Sequence, residues 1–477
     1  MRTQAQAIIA PPRPAFGVEA PQAGADYALP RPNAAQRALA RGWLGLGLVA
    51  LAGSGLYAVL LVLARTPGLN QWFPVADFFR VALVVHVDLS VLVWFAAMAG
   101  MLWSLNSTER WQSWSWVALG ACGGGTALMA LGAFVQPGEA VMANYIPVLQ
   151  GPLFLSGLVV FATGFGIEVL RTLAAAPKLG GVINGEKALR FGLTSSAVCV
   201  AVALLAFAWS LAVVPRQLEL RAYYEILFWG GGHALQFAWT LLMLVGWLWL
   251  AQASGASVPL SPRIALLLLA LALVSVFVTP YAYLAHDVVT VEHRNLHTWA
   301  MRFGGGLAIF PVTLAVVLAL LPLRRLQDVQ KPLWGALVCS MLLFACGGVI
   351  GMLISGNNVK IPAHYHGCIV GVTLALMGLV YHLLPALGYA PARGRLAAWQ
   401  PWLYGIGQLM HIIGLVWSGG YGVQRKVAGS DQVLRSGAEV AGMGLMGLGG
   451  LLAVVGGLLF VVVVLRATRP GRREVGA

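Results

Sequence analysis

Two histidines, His364 and His366, stand two residues apart in the run Ile-Pro-Ala-His-Tyr-His-Gly, which opens a hydrophobic stretch reaching about Leu384. On a helix, positions i and i+2 lie about 200° apart, so the two imidazoles leave opposite sides of one rod. Neutral imidazole is the commonest protein metal ligand, and an ionisable residue inside a membrane span is costly and reads first as functional. One such helix can ligate two separate prosthetic groups, one on each flank.

The elements that must position these residues are membrane helices. Of 477 residues, 59% are hydrophobic and only 10% charged, which excludes a soluble globule and leaves a polytopic all-α chain, because backbone in lipid must satisfy its own hydrogen bonds. Twelve spans are expected, at about 43–64, 78–103, 113–136, 144–171, 190–215, 222–250, 262–286, 297–322, 332–355, 363–388, 398–422 and 440–466. Residues 1–38 lack an apolar signal-peptide core and read as a disordered cytoplasmic tail. Residues 39–467 form the membrane domain, and 468–477 a second cytoplasmic tail. The net charge of +14 follows topology: with both termini inside, 20 of the 30 Lys and Arg fall on cytoplasmic segments, the positive-inside rule. That balance gives no reason to invoke nucleic acid. The five cysteines, Cys122, Cys199, Cys339, Cys346 and Cys368, all fall in spans and offer neither a disulfide framework nor an iron–sulfur or binuclear copper motif. Electrons, if the chain uses them, arrive from elsewhere.

Topology sorts the nine histidines. His86 lies about eight residues into span 2 and His233 about eleven into span 6, while His364 and His366 open span 10 and His286 closes span 7. All five reach the outer half of the bilayer. His293 and His297 fall in or beside the outer loop and read as solvated, and His382 and His411 read as structural. Ionisable residues within spans are sparse: Asp88, Glu168, Glu225 and Arg302.

This pattern resembles subunit I of the heme–copper oxidase superfamily across the whole twelve-span core. The resemblance rests on Asn357-Asn358-Val-Lys-Ile-Pro-Ala-His364-Tyr-His366, on Leu227-Phe-Trp-Gly-Gly-Gly-His233, on the lone His86 and on Tyr421-Gly-Val-Gln-Arg425-Lys426. It implies a low-spin heme held by His86 and His366, a high-spin heme on His364, and a non-heme metal, copper ahead of iron, on His233. Arg425 and Lys426 match the basic pair that holds heme propionates.

Two departures shape the expected chemistry. The superfamily's commonest oxygen reductases carry a tyrosine four residues after the span-6 histidine; here that residue is Phe237. Tyr281 and Tyr283 on span 7 are candidate stand-ins, although packing is the simpler role for both. The superfamily's His-His pair at the end of span 7 reads His286-Asp287 here. Asp287 is either a loop carboxylate or a metal ligand beside His233 and His286, a harder and more anionic set. Together these departures lead to a nitric oxide reductase of a divergent branch, with a terminal oxygen reductase bearing a displaced tyrosine as the alternative and a transporter as the non-redox alternative. The implied catalytic residues are His233, His286, Asp287 and His364. The implied setting is a bacterial inner membrane, with electrons delivered by a second subunit carrying a cupredoxin or cytochrome c domain, or by a soluble donor.

Overall fold

The computed structural model describes residues 26–65, 78–354, 358–420 and 436–469. The first six rods are α1 (Ala34–Arg65), α2 (Phe78–Asn106), α3 (Gln112–Gly132), α4 (Pro152–Ala174), α5 (Gly185–Val213) and α6 (Leu220–Ala253). The second six are α7 (Pro262–Ala285), α8 (Val291–Leu320), α9 (Lys331–Met352), α10 (Lys360–Leu383), α11 (Arg395–Gly420) and α12 (Gly437–Thr468). Eleven of them are long and apolar enough to cross a membrane. The remaining rod, α11, carries Gln400, Gln408 and His411 along its 26 residues. The chain is a multi-pass membrane protein with the expected twelve-helix architecture.

The most buried rods are α6, α10 and α2, the three that carry His233, the His364/His366 pair and His86. Close approach of neighbouring rods depends on small residues, as is usual where lipid supplies no hydrophobic drive. A Cβ on Gly347 of α9 would stand 2.6 Å from the Cys368 amide nitrogen of α10, and one on Gly449 of α12 would collide with the His411 backbone nitrogen of α11. A π turn at Asp88–Val93 interrupts α2 two residues after His86, and a second at Ala300–Gly304 interrupts α8. Such turns recur near functional sites because they re-aim the residues beside them.

Several boundaries differ from the sequence reading, α1 for instance starting at Ala34 instead of 43, and three of the differences have a clear local cause. Residues 26–33 belong to the fold: Tyr27 is fully buried, and its hydroxyl donates to the Leu260 carbonyl at 2.8 Å. Burial pushes that hydroxyl above its ordinary pKa. The fourth rod begins at Pro152, not near 144. Residues before it form a short antiparallel hairpin, β1 (Ala140–Val141) with β2 (Val148–Leu149), in which Ala140 pairs with Leu149. Proline at the first helical position, with no N–H to leave unsatisfied, marks the true start. The eighth rod begins at Val291, six residues before 297, because the Thr290 side chain caps it by accepting from the His293 amide at 3.3 Å. A threonine cap is among the strongest local signals for a helix start.

Candidate functional site

On α10 the spacing of two does what helix geometry requires. His364 turns toward α9, where its Nδ1 lies 2.7 Å from the Gly347 carbonyl; the Cys368 sulfur, one turn on along α10, is 3.8 Å from the same nitrogen. Gly351 leaves room for the ring, since a Cβ there would stand 2.7 Å from Nδ1. His366 leaves by the other flank toward α11, its ring centroid 4.6 Å from that of His411. His86 also lies within electrostatic reach of His366. The Nδ1 of His86 lies 2.9 Å from the Ser54 carbonyl of α1. An N–H donated there fixes the tautomer and leaves Nε2 as the free lone pair. The His411 ring is oriented in the same way, by the Met446 carbonyl at 2.9 Å. The structure thus surrounds His366 with two candidate imidazole partners, His86 and a residue that reads as merely structural in the sequence.

The second cluster lies between α6 and α8. Starting α8 at Val291 places His293 and His297 four apart on one helical face, a spacing that lets two imidazoles meet one ion. Both are about 1% exposed, not solvated, and their ring centroids are 4.7 Å apart. His297 faces His233 across the helix pair at 5.6 Å. By contrast, His286 caps the end of α7 and Asp287 is exposed, its carbonyl accepting from Thr290. The geometry brings His293 and His297 to His233, and leaves Asp287 outside the cluster. The reason is the helix start: with residues 286–290 as the connection and α8 already formed at 291, the next turn of helix supplies the imidazoles.

These donors fit a metal ion by type and by availability. The Nδ1 of His233 lies 2.8 Å from the Trp229 carbonyl, and that of His297 lies 2.8 Å from the His293 carbonyl. Both rings therefore turn Nε2 away from the backbone, that of His233 toward the Tyr145 hydroxyl at 3.1 Å. Both nitrogens of His293 and the Nε2 of His297 are buried without a hydrogen-bond partner, a costly condition that a ligand relieves. Among the described residues no three such donors already converge on one point in ligating geometry; the rings stand side by side.

One phenol joins the cluster from outside the helices. The hairpin loop between β1 and β2 carries Tyr145, whose hydroxyl lies 2.9 Å from Nδ1 and 3.1 Å from Nε2 of His233. Its ring rests on α6 at Gly232, where any Cβ would overlap it. The adjacent Asn144 donates to the Glu225 carboxylate at 2.5 Å, tying the loop to α6. Of the two tyrosines on α7, Tyr281 is exposed, whereas buried Tyr283 shares a 2.6 Å hydrogen bond with Ser210 and sets its ring edge-on to His293 at 4.8 Å. Phe237 is buried. Arg425 and Lys426 lie outside the described residues.

Comparison with known proteins assigns the chain to a family over most of its length. The model of the family described as cytochrome c and quinol oxidase polypeptide I matches residues 38–469. An uncharacterized protein of Rickettsia prowazekii is 28% identical over 498 residues, covering 89% of this chain and 95% of its own length. An uncharacterized protein of Aquifex aeolicus is 28% identical, covering 75% of this chain and 88% of its own length. Cytochrome c oxidase subunit 1 of Thermus thermophilus is 26% identical over about half of each chain, 50% of this one and 46% of its own. The chain belongs to the cytochrome c and quinol oxidase polypeptide I family, the heme–copper oxidase subunit I family of membrane oxidoreductases.

Proposed function

We propose that this chain is the catalytic subunit of a terminal oxygen reductase, O₂ + 4 e⁻ + 4 H⁺ → 2 H₂O, whose tyrosine comes from the β1–β2 loop instead of from α6. The observation that carries this reading is the Tyr145 hydroxyl within 3.1 Å of both ring nitrogens of His233. Two bound hemes and one metal supply the redox chemistry. His86 and His366 are the residues that would hold the low-spin heme, and His364 the high-spin heme. His233, His293 and His297 would hold the metal, copper ahead of iron, with a set of three imidazoles. Tyr145 keeps an O–H donor at that cluster, and the bare backbone of Gly232 lets its ring pack flush on α6.

Nitric oxide reduction, 2 NO + 2 e⁻ + 2 H⁺ → N₂O + H₂O, is the second reading, favoured by Phe237. Joining two nitric oxide molecules breaks no O–O bond and needs no redox tyrosine, so a buried phenyl on α6 suits it. The other support for nitric oxide, a carboxylate at the metal, is weakened by the exposed position of Asp287. Electrons would enter from a second subunit with a cupredoxin or cytochrome c domain, or from a soluble donor, in a bacterial inner membrane with both termini cytoplasmic.

The test is turnover of O₂ and of NO by heme-loaded protein, with metal analysis alongside. Wild-type protein is expected to consume O₂ to water. Tyr145→Phe should lose that turnover by about 10²–10⁴-fold, the usual worth of a positioned proton donor, while keeping hemes and metal. Turnover of NO without O₂, untouched by Tyr145→Phe, would establish the second reading instead.

A further inference from the structure

The end of the bundle that carries the start of α1 and the end of α12 holds a cavity at the opposite end of α10 from His364 and His366. Arg41 of α1 donates to the Leu387 carbonyl at 2.6 Å and lies over the Tyr389 ring at 4.8 Å. The Ala390 amide donates to the Ala467 carbonyl at 3.1 Å. These contacts pin the connection between α10 and α11 against α12 and leave a recess of about 470 Å³ between that connection and the last turns of α12, within the usual size range of a small-ligand site.

Three arginines line the recess: Arg393, Arg395 and Arg466. All three are exposed, and among the described residues none forms an ion pair. The rest of the wall is apolar, chiefly Leu396, Val463 and Ala467. The positive-inside rule accounts for basic residues at this end, but not for three unpaired arginines lining one recess with an apolar side wall. Guanidinium groups pair bidentately with phosphate, and basic pockets at helix ends take lipid headgroups.

We propose that this recess binds the phosphate of an anionic phospholipid, with Arg393, Arg395 and Arg466 on the headgroup and Leu396 and Val463 against the glycerol and first acyl carbons. A lipid is favoured over a soluble phosphate because the recess sits at the end of membrane rods and one wall is apolar, which a free anion does not use.

The experiment is native mass spectrometry of the full chain purified from its membrane. It is followed by thermal unfolding in nanodiscs of phosphatidylcholine alone, of phosphatidylcholine with phosphatidylglycerol or cardiolipin, and of phosphatidylcholine with millimolar inorganic phosphate. Wild-type protein should retain anionic lipid and unfold at higher temperature only with the anionic lipids. The Arg393→Gln/Arg395→Gln/Arg466→Gln variant should lose the retained lipid and the shift, whereas Arg216→Gln/Arg221→Gln, at the junction of α5 and α6, should keep both. Equal retention by the triple variant would overturn the proposal, as would stabilisation of wild-type protein by inorganic phosphate to the same degree. If the triple variant fails to fold, the single variants Arg393→Gln, Arg395→Gln and Arg466→Gln decide the matter: each should weaken lipid retention, and full retention by all three would overturn the proposal.

Discussion

Two histidine pairs on two helices show how sequence spacing sorts ligands among sites. On α10 the spacing is two, and the imidazoles of His364 and His366 leave by opposite flanks, toward α9 and toward α11. On α8 the spacing is four, and His293 and His297 share one face toward His233. The first arrangement divides a helix between two centres, whereas the second concentrates it on one. Both follow from 3.6 residues per turn, so the same residue type has opposite consequences two positions apart.

The largest effect should come from removing the concentrated pair. His293→Ala and His297→Ala should each cost metal occupancy by more than the roughly 10–100-fold typical of losing a group behind a ligand, while both heme spectra persist. Metal retained in full by both variants would mean that α8 contributes packing and not ligands. The divided pair makes the complementary prediction. His364→Ala should abolish the high-spin spectrum and leave the low-spin one, and His366→Ala should do the reverse; a variant that loses both hemes together would show that the flanks are not independent.

A third test asks which partner His366 uses. His86→Ala should remove the low-spin spectrum, and His411→Ala should shift it slightly or leave it unchanged. The reverse outcome would assign the axial role to α11. The smallest effect belongs to Asp287→Ala. An exposed carboxylate outside the cluster should change stability by no more than about 0.5 kcal/mol and leave metal content and turnover intact. Loss of metal there would restore the His286/Asp287 set that the sequence suggests.

Much of the architecture is legible in the sequence because lipid imposes it. Twelve apolar runs, the basic bias of one side and the His364/His366 spacing all express constraints that act locally on the chain. The differences that bear on the site arise at two helix starts. Reading the fourth span from 144 places Tyr145 in a first turn that does not form, although Gly151-Pro152 is a helix-start signal that leaves 140–149 outside. Reading the eighth span from 297 separates His293 from His297 and hides their common face. Thr290, with Glu292 two residues on, carries the capping residue and first-turn acid that mark a start at 291. The contact of Tyr145 with His233 is not legible at all, because it joins a loop to a helix 88 residues away and no local pattern encodes it.

The burial of Tyr27 bears on how the protein is made. Its hydrogen-bond partner, the carbonyl of Leu260, lies 233 residues further along the chain. At ribosomal speeds of about 5–20 residues per second, that partner emerges roughly 10–50 s after Tyr27. For that interval Asp26 and Tyr27 have only the start of α5 at Gly185 to pack against, and the Tyr27 hydroxyl has no acceptor. The hydrogen bond that locks the N-terminal anchor is therefore a late event of biogenesis, added after six helices have been threaded. A nascent chain arrested before residue 260 should leave Tyr27 open to protease, and one arrested well beyond it should not.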